Sequence, residues 1–239
     1  MNSQDDVKNA RERLIIALDV PTAPEAVNLA EQLSTEVSFF KVGLQLYTAE
    51  GPEIVRRIRR SGANVFLDLK LFDIPNTVGK AVAAAASLGV SMLTIHLSGG
   101  RQMIEAAVAA CPPELLLLGV TVLTSFDDET LRQTGVQSSV ADQALRLATL
   151  GADAGVGGLI ASPHELTALR EQLGDRVKII TPGVRPAWSA PDDQKRFTTP
   201  REAIDRGADY LVIGRPVTAH REPREAARKI IGEIEAPQP

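Results

Sequence analysis

The chain has 239 residues, 44% of them hydrophobic, and a formal net charge of −4. That length suits one domain the size of a (β/α)₈ barrel, about 250 residues, or two smaller ones, and it can bury a core without disulfides or metals. The mild acidity argues against a generic binder of nucleic acid or anionic membrane, which needs a basic face, but allows a positive pocket for a small anion.

In chain order, the first thirteen residues are polar, without the apolar core of a signal peptide. A recurring unit follows: a short apolar run, a polar or glycine-containing break, then an amphipathic stretch. The apolar runs cover residues 14–18, 37–40, 65–69, 92–95, 115–123, 155–160, 177–180 and 210–213. Most are too short for helices and rich in β-branched residues, as expected of strands buried on both faces. Helical patterns alternate with them at 23–33, 52–60, 77–88, 100–110, 141–150, 163–173, 200–206 and 216–234. Pro24, Pro52, Pro163, Pro200 and Pro216 sit where first helical turns would begin, since proline's missing N–H costs little there. Gly62, Gly89, Gly151 and Gly207 fall where helices would end. Eight strands alternating with eight helices allow a closed barrel or an open doubly wound sheet. The even spacing favours a single (β/α)₈-barrel domain, with residues 1–13 and 235–239 as polar extension and tail.

The sole cysteine, Cys111, excludes an intrachain disulfide and reads as an incidental thiol beside Pro112. No apolar run approaches the roughly eighteen residues of a membrane-spanning helix. A soluble, cytoplasmic protein is the expectation.

Barrels place their chemistry at the C-terminal ends of the strands. Here the first run ends in Asp19, the second in Lys41, the third in Asp68 and Lys70, and the fourth in His96. Strand alternation puts Asp68 and Lys70 on one face of their strand, and likewise Ile15, Ala17 and Asp19, and Phe39 and Lys41, on one face of theirs. Inward-pointing faces would bring opposite charges to one mouth of the barrel. Any one of these charges is as compatible with an ordinary surface as with a site. Their concentration on three neighbouring strands points to a site, because charge shielded from water needs a partner. Asp73 follows in the next loop, where alone it could simply cap a helix. After the seventh run comes Thr181-Pro182-Gly183-Val184-Arg185-Pro186, and after the eighth Ile213-Gly214-Arg215-Pro216. In barrels these two loops often hold phosphate, with glycines admitting the oxygens to backbone N–H groups and an arginine supplying a forked donor. His96 reads as a framework residue, and His96, His164 and His220 lack metal-ligand spacing. The glycines around Gly157 lie inside an apolar run, so close packing explains them better than a nucleotide loop.

Taken together, these residues resemble the orotidine 5′-phosphate decarboxylase family in its bacterial form. The resemblance runs in order through Ile-Ala-Leu-Asp19, Phe-Lys41-Val-Gly43, Asp68-Leu-Lys70-Leu-Phe-Asp73-Ile-Pro-Asn-Thr77, Val-Thr-Val-Leu-Thr124-Ser, Thr-Pro-Gly-Val-Arg185-Pro and Ile-Gly214-Arg215-Pro. It implies a decarboxylase making UMP in pyrimidine biosynthesis without metal or organic cofactor. Lys70 would be the proton donor to C6 of the pyrimidine, in a charge network with Asp68, Asp73 and Lys41. Asp19 and Lys41 would bind the ribose hydroxyls, and Thr124 the pyrimidine. Gln194, Arg185, Gly214 and Arg215 would hold the phosphate. The resemblance further implies a homodimer in which Asp73 and Thr77 reach the neighbouring subunit's site. Two alternatives stand beside it: a related magnesium-dependent sugar-phosphate decarboxylase or synthase with a similar Asp-x-Lys-x-x-Asp motif, and a catalytically silent nucleotide-binding protein.

Overall fold

Side chains on successive strand positions alternate between two apolar environments, the interior of a closed barrel and the underside of a helical ring. A computed structural model of the chain describes residues 9–189 and 198–236. Eight parallel strands close in sequence order: β1 (Leu14–Ala17), β2 (Phe39–Gly43), β3 (Asn64–Leu71), β4 (Met92–His96), β5 (Leu116–Val120), β6 (Gly158–Ile160), β7 (Lys178–Pro182) and β8 (Tyr210–Ile213). The seam is sealed by β8 pairing with β1, Leu211 opposite Leu14 and Ile213 opposite Ile16.

The helices are α1 (Ala10–Arg13), α2 (Ala23–Leu33), α3 (Leu44–Glu50), α4 (Glu53–Arg60), α5 (Pro75–Ser87) and α6 (Gly100–Ala109). They continue with α7 (Asp128–Gln133), α8 (Val140–Asp153), α9 (Leu166–Leu173), α10 (Pro200–Asp205), α11 (Arg215–Thr218) and α12 (Pro223–Glu235). Helix α2 shows why these segments form. The Thr22 hydroxyl accepts the Glu25 backbone N–H, Pro24 lies in the first turn, and Ala26, Leu29, Ala30 and Leu33 make one buried stripe.

Inside the barrel, Ile15, Ala17, Phe66, Met92, Leu118, Ile180, Tyr210 and Val212 form one apolar cluster. Their alternates, including Ile16, Phe40, Val65 and Leu67, join the larger core beneath the helices. Both faces are buried, so the strands read as near-continuous apolar runs. Truncating the fully buried Phe66 to Ala would cost about 3–5 kcal/mol. At the N-terminal rim, Arg13 donates to the carbonyls of Ala208 (2.7 Å) and Asp209 (3.2 Å), pinning the start of β1 to the turn before β8. Among the described residues, no helix is long and apolar enough to cross a membrane.

Several sequence-based boundaries shift. The run 115–123 shortens to β5 because Thr121 already turns its hydroxyl onto the Ile160 carbonyl, 3.2 Å away, at the barrel rim. The run 155–160 keeps only its last three residues as strand, since Gly155 (φ +96°) is still turning out of α8. The pattern 216–234 divides into α11 and α12, with a turn at Ala219–Glu222. Pro163 precedes α9 in a turn instead of opening it. Helices α3 and α7 have seven and six residues, too short for an apolar period to stand out. The glycine-rich entry to β6 packs tightly as expected: a Cβ on Gly158 would lie 2.9 Å from the Lys178 carbonyl oxygen and 2.7 Å from Leu118.

Candidate active site

The C-terminal mouth of the barrel opens into a cavity of about 690 Å³ with one charged wall. Lys41, on β2, is 8% exposed and places its Nζ 3.0 Å from Asp19 Oδ1 and 3.7 Å from Asp68 Oδ2. Lys70 Nζ lies 2.8 Å from both oxygens of Asp68. The result is an alternating chain, Asp19–Lys41–Asp68–Lys70, in which each interior member touches opposite charge on both sides. This arrangement permits charge with limited access to water, because each ionised group replaces lost solvation with a charge-assisted contact. Val120, Ile160 and Val212 line the same cavity and give it apolar surface.

The local backbone explains how the pairs meet. Asp19 lies two residues beyond β1, and its side chain is 56% exposed at the rim. Gly43, two residues after Lys41, leaves room for the first pair: a Cβ there would lie 2.9 Å from Lys41 Nζ and 3.1 Å from Asp19 Oδ1. Asp68 and Lys70 do not meet through simple strand alternation. The β3–β4 register shifts between Leu67 and Leu71, and Lys70 has φ +50°, the only positive value at a non-glycine among the described residues. Left-handed backbone is unfavourable for a residue with a side chain, and its presence at a charged site marks a constrained position.

Thr94 of β4, fully buried, lies beside this kink. Its Oγ1 accepts the Lys70 backbone N–H at 2.8 Å and donates to Asp68 Oδ1 at 3.0 Å. Sequence reasoning passed over Thr94 and gave Gly43 no role beyond its place in the Phe-Lys41-Val-Gly43 motif. The available signal for Thr94 was a polar residue on the inward side of a strand, between Met92 and His96. His96 ends β4, and its ring centroid lies 5.9 Å from that of Phe72. Burial first, and next the Lys70 ammonium, push its imidazole below the ordinary histidine value against a smaller pull from Asp68.

The last two loops complete the lining, and Gly214 comes close to the charge chain: a Cβ there would lie 3.5 Å from Ala17 Cβ and 4.0 Å from Asp19 Oδ2. Gly183 takes φ +78° at the turn out of β7, and Val184 bridges Thr198, whose carbonyl accepts the Arg185 backbone N–H at 3.0 Å. Farther along, Trp188 packs edge-on against His220, with ring centroids 5.8 Å apart, while Lys229 Nζ stands 5.6 Å from its ring centre. Gly214 is the N-cap of α11, which begins with Arg215. Arg185, Gly214, Arg215 and Thr124 all line the same cavity as the charge chain.

Two of the expected site residues lie elsewhere, and one lies outside the described residues. Asp73 is exposed and accepts its neighbour's N–H, from Ile74, at 2.6 Å. Thr77 is exposed on the first turns of α5, and neither residue lines this cavity. Gln194 falls within 190–197, outside the described residues. Among the described residues, no three His, Cys, Asp or Glu side chains converge as a metal-binding group.

Comparison with known proteins agrees with this architecture. Residues 12–230 match the sequence profile of the orotidine 5′-phosphate decarboxylase / HUMPS family. An orotidine 5′-phosphate decarboxylase of Geobacter sp. (strain M21) is 47% identical over 236 residues, covering 96% of this chain and 98% of that protein. One from Moorella thermoacetica is also 47% identical, covering 95% and 94%. The crystal structure of orotidine 5′-phosphate decarboxylase from Lactobacillus acidophilus superposes with a TM-score of 0.83 at 35% identity, covering 94% of this chain and 100% of that one.

Proposed function

The chain belongs to the orotidine 5′-phosphate decarboxylase / HUMPS family, and from that premise we propose that it converts orotidine 5′-phosphate to UMP and CO₂, with Lys70 as the proton donor. The observation that carries this reading is the alternating chain Asp19–Lys41–Asp68–Lys70 in a cavity that Arg185 and Arg215 also line.

The chemistry explains the arrangement. When the bond from C6 to the carboxylate breaks, its electron pair stays on an sp² ring carbon with no adjacent carbonyl to accept it. An ammonium held at that carbon stabilises the developing charge and then forms the new C6–H bond, leaving Lys70 neutral until water returns a proton. Asp68 holds the ammonium through both carboxylate oxygens. Asp19 and Lys41, paired at 3.0 Å, present an acceptor and a donor for the ribose hydroxyls. Thr124 contacts the pyrimidine. Arg185, Gly214 and Arg215 hold the phosphate, with Gln194 as a fourth contact. Binding energy from this non-reacting end positions the ring against Lys70.

The same reading assigns Asp73 and Thr77 to the neighbouring site of a homodimer. Asp73 forms no ion pair among the described residues of its own chain. It sits between Phe72, 61% exposed, and Ile74, 65% exposed, the apolar surface a second copy would cover. The enzyme is assigned to the cytoplasm, where UMP synthesis draws on soluble metabolites. The test is a direct absorbance assay with orotidine 5′-phosphate, with and without chelator. Loss of the substrate chromophore at equal rates in both arms supports the reading. Absence of turnover, or activity confined to a metal-dependent reaction of an acyclic sugar phosphate, overturns it.

A further inference from the structure

The register between β3 and β4 holds at Leu67–Leu93 and resumes at Leu71–Ile95, so Asp68, Leu69 and Lys70 together face a single β4 residue, Thr94. A bulge of this kind removes ladder partners from the bulged strand. The Lys70 N–H is satisfied by the Thr94 hydroxyl, at 2.8 Å. A hydroxyl has one proton, and with its oxygen occupied by the Lys70 N–H that proton is directed to Asp68 Oδ1, 3.0 Å away. A single fully buried oxygen thus fixes the backbone of Lys70 and the carboxylate of Asp68 at once.

These contacts act where they matter geometrically. Lys70 carries φ +50°, so its backbone is held in a conformation that it would leave if unrestrained. The direction of its side chain, and hence the position of Nζ against Asp68, follows from that backbone. We propose that Thr94 is a positioning residue for the decarboxylation, setting the Lys70 ammonium and the Asp68 carboxylate through one hydroxyl. The proposal rests on the assignment of Lys70 as proton donor. Thr94 is not among the residues that line the cavity. Its hydroxyl acts on the reacting end, through the Lys70 backbone and the Asp68 carboxylate.

Thr94→Val tests this, because it preserves side-chain shape while leaving the Lys70 N–H without its acceptor and removing one of the two donors to Asp68 Oδ1. The expected result is a fall in kcat of about 10- to 100-fold per UMP-binding site. The Kd for UMP should stay within about threefold, and Thr94→Ser, which restores the hydroxyl, should recover most of the rate. Counting sites by UMP titration separates lost chemistry from lost folded protein. If valine prevents folding, Thr94→Cys, with its weak donor and acceptor, replaces it in the same comparison with Ser. A kcat per site within about twofold of wild type, a serine variant as impaired as the valine, or a parallel loss of UMP affinity and kcat would each overturn the proposal. Failure of the wild-type protein to turn over orotidine 5′-phosphate would instead overturn the underlying reading, and this proposal with it.

Discussion

Replacing Asp68 by Asn would leave two ammonium groups facing a neutral amide, and the size of the effect follows from the geometry. Lys70 Nζ stands 2.8 Å and Lys41 Nζ 3.7 Å from Asp68. At an effective dielectric of about 20, these separations correspond to attractions of roughly 6 and 4.5 kcal/mol before desolvation is counted. The Lys70 side chain is 29% exposed and that of Asp68 12%, so water and the cost of removing it offset much of this. We expect Asp68→Asn to lower stability by about 3–5 kcal/mol, the range for removing one partner of a buried pair. Lys70→Gln is milder, because Asp68 keeps Lys41 and the Thr94 hydroxyl. In the double mutant the amide no longer faces Lys70, and the cycle should return a coupling of about 2–3 kcal/mol. The assay is urea unfolding of the four proteins followed by circular dichroism, with the m-values compared. A coupling below about 0.5 kcal/mol, as exposed surface pairs give, would refute the claim that these charges form one desolvated network.

Three further outcomes are expected. Arg215→Ala should lower kcat/KM for orotidine 5′-phosphate by about 10- to 100-fold, mainly through KM; an unchanged kcat/KM would remove Arg215 from the phosphate site. Mixing inactive Asp73→Ala and Lys70→Ala subunits should restore activity if Asp73 serves the partner's site, whereas proven heterodimers without recovery would place both residues in one site. His96 is held below its ordinary value, so the unfolded chain takes up this proton at a higher pH than the folded one. Stability is therefore lost as pH falls below about 6.5, and His96→Gln should lose less Tm between about pH 7.5 and 5.5 than the wild type; equal slopes would contradict the sign.

The architecture was legible because both strand faces are apolar and each unit repeats the same punctuation. Strand boundaries were less so. Lys41 read as the end of a run but lies within β2, because pairing with β3 carries the strand on to Gly43, which lies opposite Asp68. The charged residues themselves stood out, since Asp19, Lys41, Asp68 and Lys70 interrupt or end apolar runs. Alternation placed Asp68 and Lys70 on one face, and they do meet, but through a kink that no periodicity announces. Thr94 was passed over because a threonine within a strand matches ordinary β-propensity. Only the three-dimensional position of its hydroxyl, opposite a bulge on another strand, gives it a distinct part.

The central claim, that Lys70 delivers the proton to C6, is tested most directly by single-turnover decarboxylation with Lys70→Ala. The account predicts loss of at least about a thousandfold in the chemical step, with UMP still bound through Asp19, Thr124 and the two arginines. Turnover near the wild-type rate in that variant would contradict it.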